Sequence, residues 1–413
     1  MDGTARPGAG SAISATATAA AIFSLEWEAD GVRHRDIRFA PKVRLDLDIF
    51  PRGLDAALMG RRAGDKATID FGPGDLVPPP DSAKVARLPA AKFDSNFIPD
   101  RFLVPARGRY FPQGMISDGL PGLFKANNRP CRIVRIDGET LTVDLNSPFA
   151  GRAARLETEI VSVTEDSGQG GGRCQDWTEF LTDGPGMQAR HLGQPTDFWQ
   201  PEGFRRAVEN DDASFYAKPR MAVHLDSRAL AAVTDIYRRQ LSSGMQVLDL
   251  MSSFRSHLPD DEGLGEVIGL GLNEQEMRRN PQLSGHVVHD LNANPRLPFG
   301  TGAFDACVCT VSVEYMRHPV DVFRDVARVL RPDSPFVLTF SHRWFPPKVT
   351  GLWTELHPFE RTGFVLECLR ESGFFADLGS ESLRGLPRPA DDGYFPQETV
   401  SDPVFAVWGR RIS

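Results

Sequence analysis

The chain is short of cysteine, lacks a long apolar run and carries no basic excess, and each shortage removes a class of protein. Its five cysteines (Cys131, Cys174, Cys307, Cys309 and Cys368) include no Cys-x-x-Cys pair and no nearby histidine at metal-finger spacing. They read as reduced thiols of a cytoplasmic protein, with no metal site expected. No apolar stretch approaches the roughly 20 residues that span a bilayer. Residues 1–21 are rich in Ala, Thr and Ser and lack a basic segment ahead of an apolar one, so they are expected to be a disordered tail, not a secretory signal. With 55 acidic against 47 basic residues the net charge is −8, which supplies no field for nucleic acid.

What is present is ordinary globular material, 41% hydrophobic and 25% charged. A length of 413 residues exceeds one ordinary core and predicts two domains. The stretch Gly244–Pro259 organises the second of them. Val247, Leu248 and Leu250 form an apolar run around Asp249, followed by small and polar residues where a strand would turn into a helix. Further apolar runs follow at Glu266–Leu272, His286–His289, Phe304–Val313 and Pro335–Phe340, with helical patterns between them, which implies a parallel α/β sheet. A helix is expected over Ala229–Gln240, and Pro403–Gly409 fits a closing strand.

The first half alternates apolar with polar residues instead. Phe23–Glu28, Val43–Ile49, Leu141–Leu145 and Leu156–Val163 read as half-buried antiparallel strands, with one short helix at Gly53–Gly60 and another strand at Ala67–Phe71. The Gly/Ser-rich run Thr164–Arg173 marks the boundary. The expected domains are therefore residues 22–165, an irregular linker and lead-in at 166–212, and residues 213–413.

Two resemblances add to this. Arg52-Gly-Leu-Asp-Ala-Ala-Leu-Met-Gly-Arg-Arg-Ala-Gly-Asp-Lys, with Asn146-Ser-Pro-Phe-Ala-Gly151, resembles the SlyD-type FKBP domain. That implies an α+β domain with a curled antiparallel sheet, an inserted flap at about residues 97–137, and a grip on proline-containing polypeptide that can speed its cis/trans isomerisation. The positions of two aromatic pocket walls fall on Val77 and Leu156. From Phe215 to near Arg410 the chain resembles the class I S-adenosylmethionine-dependent methyltransferases, in a branch whose first loop is altered. The resemblance implies a Rossmann-like fold with a cofactor crevice at the strand ends.

In that family the first loop carries three glycines; here Met251, Ser253 and Arg255 stand in their place. The acid that holds the ribose after the second strand is replaced by Gly271, with Asn273 two residues on, whereas Asp290 keeps the adenine-contacting position. One reading has Ser252, Ser253 and His257 donate to the methionine carboxylate, Asn273 assist the ribose, and Asp249 and Asp290 keep their family places. The other has Met251 and Phe254 fill the crevice. Tyr216, Arg220 and His224 would close over the cofactor from upstream, and Glu314, Tyr315 and His342 are the candidates for proton chemistry at the strand ends. The Ser341–Val349 segment lies where an acceptor is expected. These readings leave three functions open: methyl transfer from S-adenosylmethionine to a small molecule or a protein, chaperone-like binding without turnover, and prolyl isomerisation alone. Neither a membrane nor nucleic acid is an expected partner.

Overall fold

Strands from both halves of the chain merge into a single 11-stranded mixed sheet, in the order β11-β10-β9-β12-β13-β15-β14-β2-β1-β8-β3. The computed structural model describes residues 11–99, 101–165, 173–184, 190–357 and 359–413. The N-terminal part runs β1 (Thr18–Ala29), β2 (Val32–Arg44), α1 (Leu54–Leu58), β3 (Lys66–Phe71), β4 (Val85–Pro89), β5 (Tyr110–Pro112), β6 (Pro130–Asp137), β7 (Thr140–Asp144), β8 (Ala154–Thr164) and α2 (Trp177–Leu181). The C-terminal part runs α3 (Asp212–Tyr216), α4 (Ser227–Gln240), β9 (Val247–Leu250), β10 (Val267–Gly271), α5 (Glu274–Arg278), β11 (Gly285–Val288), β12 (Ala306–Thr310), α6 (Pro319–Val329), β13 (Pro335–Phe340), α7 (Gly351–Glu355), α8 (Glu360–Ser372), β14 (Phe375–Arg384) and β15 (Val404–Arg411).

The N-terminal strands pair antiparallel in the order β2-β1-β8-β3. Phe23, Leu25 and Trp27 point to one face by the two-residue period and pack against Leu54 and Leu58 of α1 and against Phe149. The tail expected at residues 1–21 needs correction within the described residues: Ile13, Ala17, Ala19 and Ala21 are buried in this core, and β1 begins at Thr18. Residues 1–10 lie outside the described residues. The strand expected at Val43–Ile49 is a turn beyond Arg44, closed by Asp48 accepting from the Arg44 N–H at 2.9 Å. The expected flap at residues 97–137 is wider than its sequence signal, because its sheet, ordered β4-β7-β6-β5, runs from Val85 to Asp144.

Of the linker and lead-in expected at residues 166–212, 166–172 and 185–189 lie outside the described residues, and the rest is divided between the cores. Trp177 of α2 packs on Phe23 and Phe50, while Phe198 belongs to the C-terminal core. In the C-terminal part β9 to β13 are parallel neighbours, and β15 closes antiparallel on β13. The burial of β9 and β13 on both faces explains their continuous apolar sequences.

Two separate sheets were the expectation; the structure fuses them. Arg33–Arg38 of β2 pairs parallel with Gly379–Arg384 of β14. The seam is polar and buried: Asp36 accepts from Ser382 Oγ at 2.5 Å and from Arg384 at 2.6 Å, and His34 meets Ser380 Oγ at 2.7 Å. The flap docks separately on α8, where Arg109 pairs with fully buried Glu360 at 3.2 Å and Tyr110 N–H donates to the same carboxylate at 2.7 Å.

Candidate functional site

The chain leaves β9 outward through β10 to β11, then crosses back to β12 on the other side of β9. At such a switch point the loops diverge and open a crevice at the carboxyl ends of the strands. A cavity of about 160 Å³ lies there. Its walls come from the loops after β9, β10, β11 and β12 and from the segment between α3 and α4. Asp249, Ser252, Ser253, His257, Asn273, Asp290, Tyr216 and Arg220 all line it. Of the proton-transfer candidates, Tyr315 lines it; Glu314 and His342 do not.

The start of the loop after β9, residues 251–258, folds without any glycine. Met251 and His257 adopt positive φ of 59° and 57°, a region that costs a side-chain-bearing residue roughly 1–2 kcal/mol. Hydrogen bonds offset that strain. Ser252 and Ser256 hydroxyls donate to Asp249 Oδ2 at 2.5 and 2.7 Å, and Asn280 Nδ2 donates to Ser256 Oγ and to the Ser253 carbonyl. Burial pushes the Asp249 carboxyl up to about 6, against the pull of its serine donors. Asp249 therefore acts first as the post on which the loop is hung.

The same loop explains the missing acid. A Cβ on Gly271 would stand 2.2 Å from the Ser252 carbonyl oxygen, so this strand end admits only glycine. Asn273 is committed as well. Its Oδ1 caps α5 by accepting from Glu276 N–H at 3.0 Å, and its Nδ2 donates to the Tyr216 and Ala217 carbonyls at 2.7 and 3.3 Å. The Ser253 hydroxyl donates to Glu276 Oε2 at 2.6 Å. The Ser252 and Ser253 hydroxyls and the Asn273 amide, read from the sequence as cofactor contacts, hydrogen-bond here within the protein.

A lid crosses the cleft upstream of α4. Arg220 N–H donates to Glu276 Oε1 at 2.6 Å. Its guanidinium carbon lies 4.7 Å from the Phe215 ring centre, 5.4 Å from Tyr216 and 5.1 Å from Phe345. No carboxylate lies within ion-pairing distance of it among the described residues. Aromatic faces thus hold the cation, with Nη2 donating to the Phe215 carbonyl at 3.4 Å. Asp212 is saturated by contrast, paired with Arg206 and Lys348 at 2.7 Å each and accepting from Asn292 Nδ2 at 2.9 Å.

After β11, Asp290 Oδ1 accepts from the Asn292 and Ala293 N–H groups at 2.8 and 3.2 Å, and its other oxygen has no hydrogen bond among the described residues. The Tyr315 hydroxyl accepts from Phe345 N–H at 2.8 Å, and burial raises the phenol above its usual range, so its own proton is one to donate. Burial lowers His257 to about 4 and lowers His224 too, leaving these two imidazoles neutral near pH 7.

Glu314 sits behind Tyr315 with both carboxyl oxygens buried and unpartnered among the described residues. Burial pushes it up to about 8. Half-exposed His342 faces Asp402 at 3.8 Å, away from the cleft. Sequence reasoning missed Glu276 and Asp212 as cleft residues. For Glu276 a signal existed: Asn273-x-x-Glu276 is the spacing of a capping box, which draws attention to an acid at that turn.

In the N-terminal domain Leu156 is fully buried and Val77 half-buried against the same core. The Asn146–Gly151 turn is fixed by the Asn146 amide, which exchanges hydrogen bonds of 2.9 and 3.0 Å with the Asp81 backbone. Gly151 N–H then reaches the Val77 carbonyl at 3.1 Å. Among the described residues no helix is long and apolar enough to cross a membrane, and no group of His, Cys, Asp and Glu could hold a metal ion.

Comparison with known proteins agrees with both halves. Residues 252–338 match the family model of the methyltransferase domain. A probable FKBP-type 16 kDa peptidyl-prolyl cis-trans isomerase of Pseudomonas fluorescens is 30% identical over 118 residues, 29% of this chain and 68% of that protein. The FKBP-type isomerase SlyD of Vibrio cholerae is 32% identical over 120 residues, 28% of this chain and 51% of that protein. The structure of an S-adenosylmethionine-dependent methyltransferase from Mesorhizobium loti is 18% identical, covering 43% of this chain and 96% of its own, with a TM-score of 0.30. That score is too low to carry an inference, so the Rossmann-like fold rests on the strand order and the family match. Through its N-terminal region the chain belongs to the FKBP-type peptidyl-prolyl isomerase family.

Proposed function

We propose that this member of the FKBP-type family, carrying a methyltransferase domain, binds S-adenosylmethionine in the cleft between β9 and β12 and transfers its methyl group to a small molecule or a protein. The observation that carries the reading is that one cleft is lined both by an Arg220 guanidinium lacking a carboxylate partner and by an Asp290 oxygen lacking a donor among the described residues. The cofactor presents complementary groups, a carboxylate for the first and an adenine amine for the second. Arg220 would hold the carboxylate, Asp290 the amine, and Tyr216 would cover the cofactor. The bound cofactor would supply a methyl group on a positively charged sulfur.

The chain's own tasks are then orientation and exclusion of water, because an in-line displacement needs alignment more than acid–base help. The lid tied down by Asn273 and Glu276 dries the cleft. Tyr315 can donate a hydrogen bond to an acceptor from the β12 side. Glu314 behind it, pushed up to about 8 by burial, adds no charge near neutral pH.

A second reading, prolyl isomerisation by the N-terminal domain, is favoured by the family membership and the fixed Asn146–Gly151 turn. Against it stand Val77 and Leu156, which thin the aromatic walls of the proline pocket.

The test is calorimetric titration of the full chain with S-adenosylmethionine and S-adenosylhomocysteine. Micromolar binding, about −8 kcal/mol, is expected, weakened about 10-fold or more in Arg220→Ala and in Asp290→Asn, each of which removes a charge-assisted hydrogen bond. Absence of binding at millimolar ligand would overturn the methyltransferase reading and leave isomerisation as the activity to assay.

A further inference from the structure

We infer that Glu276 is the group that holds the ribose hydroxyls of the cofactor, a task moved from the end of β10 to the side chain of Glu276 in the following turn. The inference rests on the cofactor reading above and goes beyond it by assigning a residue that neither the family pattern nor the loop sequence points to.

It follows from elimination among the acids that line the cleft. Asp249 is engaged by the Ser252 and Ser256 hydroxyls. Asp212 is saturated by Arg206, Lys348 and Asn292. Asp290 lies one strand further out, beyond β11, where the adenine is expected. No acid fits at position 271, where a Cβ would collide with the Ser252 carbonyl at 2.2 Å. Glu276 remains, 8% exposed and on the cleft wall.

Its own geometry points the same way. As the third residue of α5 after the Asn273 cap it could turn back on the cap N–H, as capping-box acids do. It reaches forward instead, and takes one hydrogen bond on each oxygen, from Arg220 N–H and from Ser253 Oγ, both at 2.6 Å. A carboxylate offers about four acceptor directions, so about two remain for a pair of adjacent hydroxyls. The nearby Asn273 amide cannot compete, since its donors are spent on the Tyr216 and Ala217 carbonyls. Because one oxygen also holds Arg220 N–H, the residue that meets the ribose is the one that ties the lid.

The experiment is a cycle between the ligand hydroxyl and the side chain, read by calorimetry on the full chain with S-adenosylhomocysteine and its 2′-deoxyribose analogue. The wild type is expected to bind the analogue about 10-fold more weakly, the loss for a hydrogen bond to a charged group. Glu276→Gln is expected to bind S-adenosylhomocysteine about 10-fold more weakly and to discriminate between the two ligands by less than about twofold. Glu276→Asp, which keeps the charge but withdraws it by one methylene, repeats the cycle should Glu276→Gln not melt as the wild type does. Wild-type discrimination retained in either folded variant, or equal binding of both ligands by the wild type, overturns this inference alone. A wild type that binds neither ligand overturns the cofactor reading and this one with it.

Discussion

In the N-terminal half of the sheet the strands run antiparallel, and the side chains of Phe23, Leu25 and Trp27 meet α1 and Phe149 in a closed core. In the C-terminal half β9 to β13 run parallel, and the switch in strand order between β9 and β12 opens a cleft lined by charge. The difference lies in connectivity more than composition. Antiparallel neighbours joined by short turns bring their ends together, whereas parallel neighbours must send their connections away over the faces. A site that has to admit a ligand comes at little structural cost in the second arrangement.

The comparison can be broken hardest where the flap of the first half grips the second. Arg109→Ala leaves the Glu360 carboxylate buried beside Tyr110 without its cation, and should cost about 3–5 kcal/mol in urea unfolding. A loss within experimental error would mean that the flap does not depend on this pair for its docking. The next largest effect probes the cleft's own packing. Gly271→Ala places a Cβ against the Ser252 carbonyl and should destabilise by about 1–3 kcal/mol, as overpacking does. Gly300→Ala, where no atom lies within 4 Å of the new Cβ, should fall within about 0.5 kcal/mol of wild type. Equal effects of the two substitutions would show that the loop yields and does not fill the strand end.

A finer distinction concerns pH. Glu314 rises from an ordinary 4.5 to about 8 on burial, so between those values the folded chain holds a proton that the unfolded chain has released. Stability should therefore fall as pH climbs through that window, by roughly 1.4 kcal/mol per unit from this group. Glu314→Gln should flatten the slope between pH 5 and 8, measured by denaturant melts at several pH values. An unchanged slope would place the titration elsewhere.

The parallel half was legible because its strands are buried on both faces and advertise themselves as apolar runs, as at Pro335–Phe340. β2 was not, because its inward residues His34 and Asp36 are polar and satisfied only by Ser380, Ser382 and Arg384 nearly 350 positions away. The alternation at Val43–Ile49 misled for the opposite reason: Asp48 closes a turn there on the Arg44 N–H, a local bond that outcompetes strand pairing. At the cleft, the residues fixed by fold position were readable from order along the chain. What each one does with its hydrogen bonds was not, since the partners of Ser252, Ser253 and Asn273 depend on how the loop crosses β10. Glu314 and His342 follow strand ends in sequence, yet one turns inward behind Tyr315 and the other outward to Asp402.

The seam between β2 and β14 has a consequence for anyone who would cut this gene in two. Dividing the chain at the Gly/Ser-rich boundary would not release two finished modules. Each product would carry a raw strand edge, Arg33–Arg38 on one side and Gly379–Arg384 on the other, with unpaired backbone groups and a stranded Asp36 or Arg384. Such edges recruit other chains, so the separate halves should clump when expressed alone and stay in solution when expressed together.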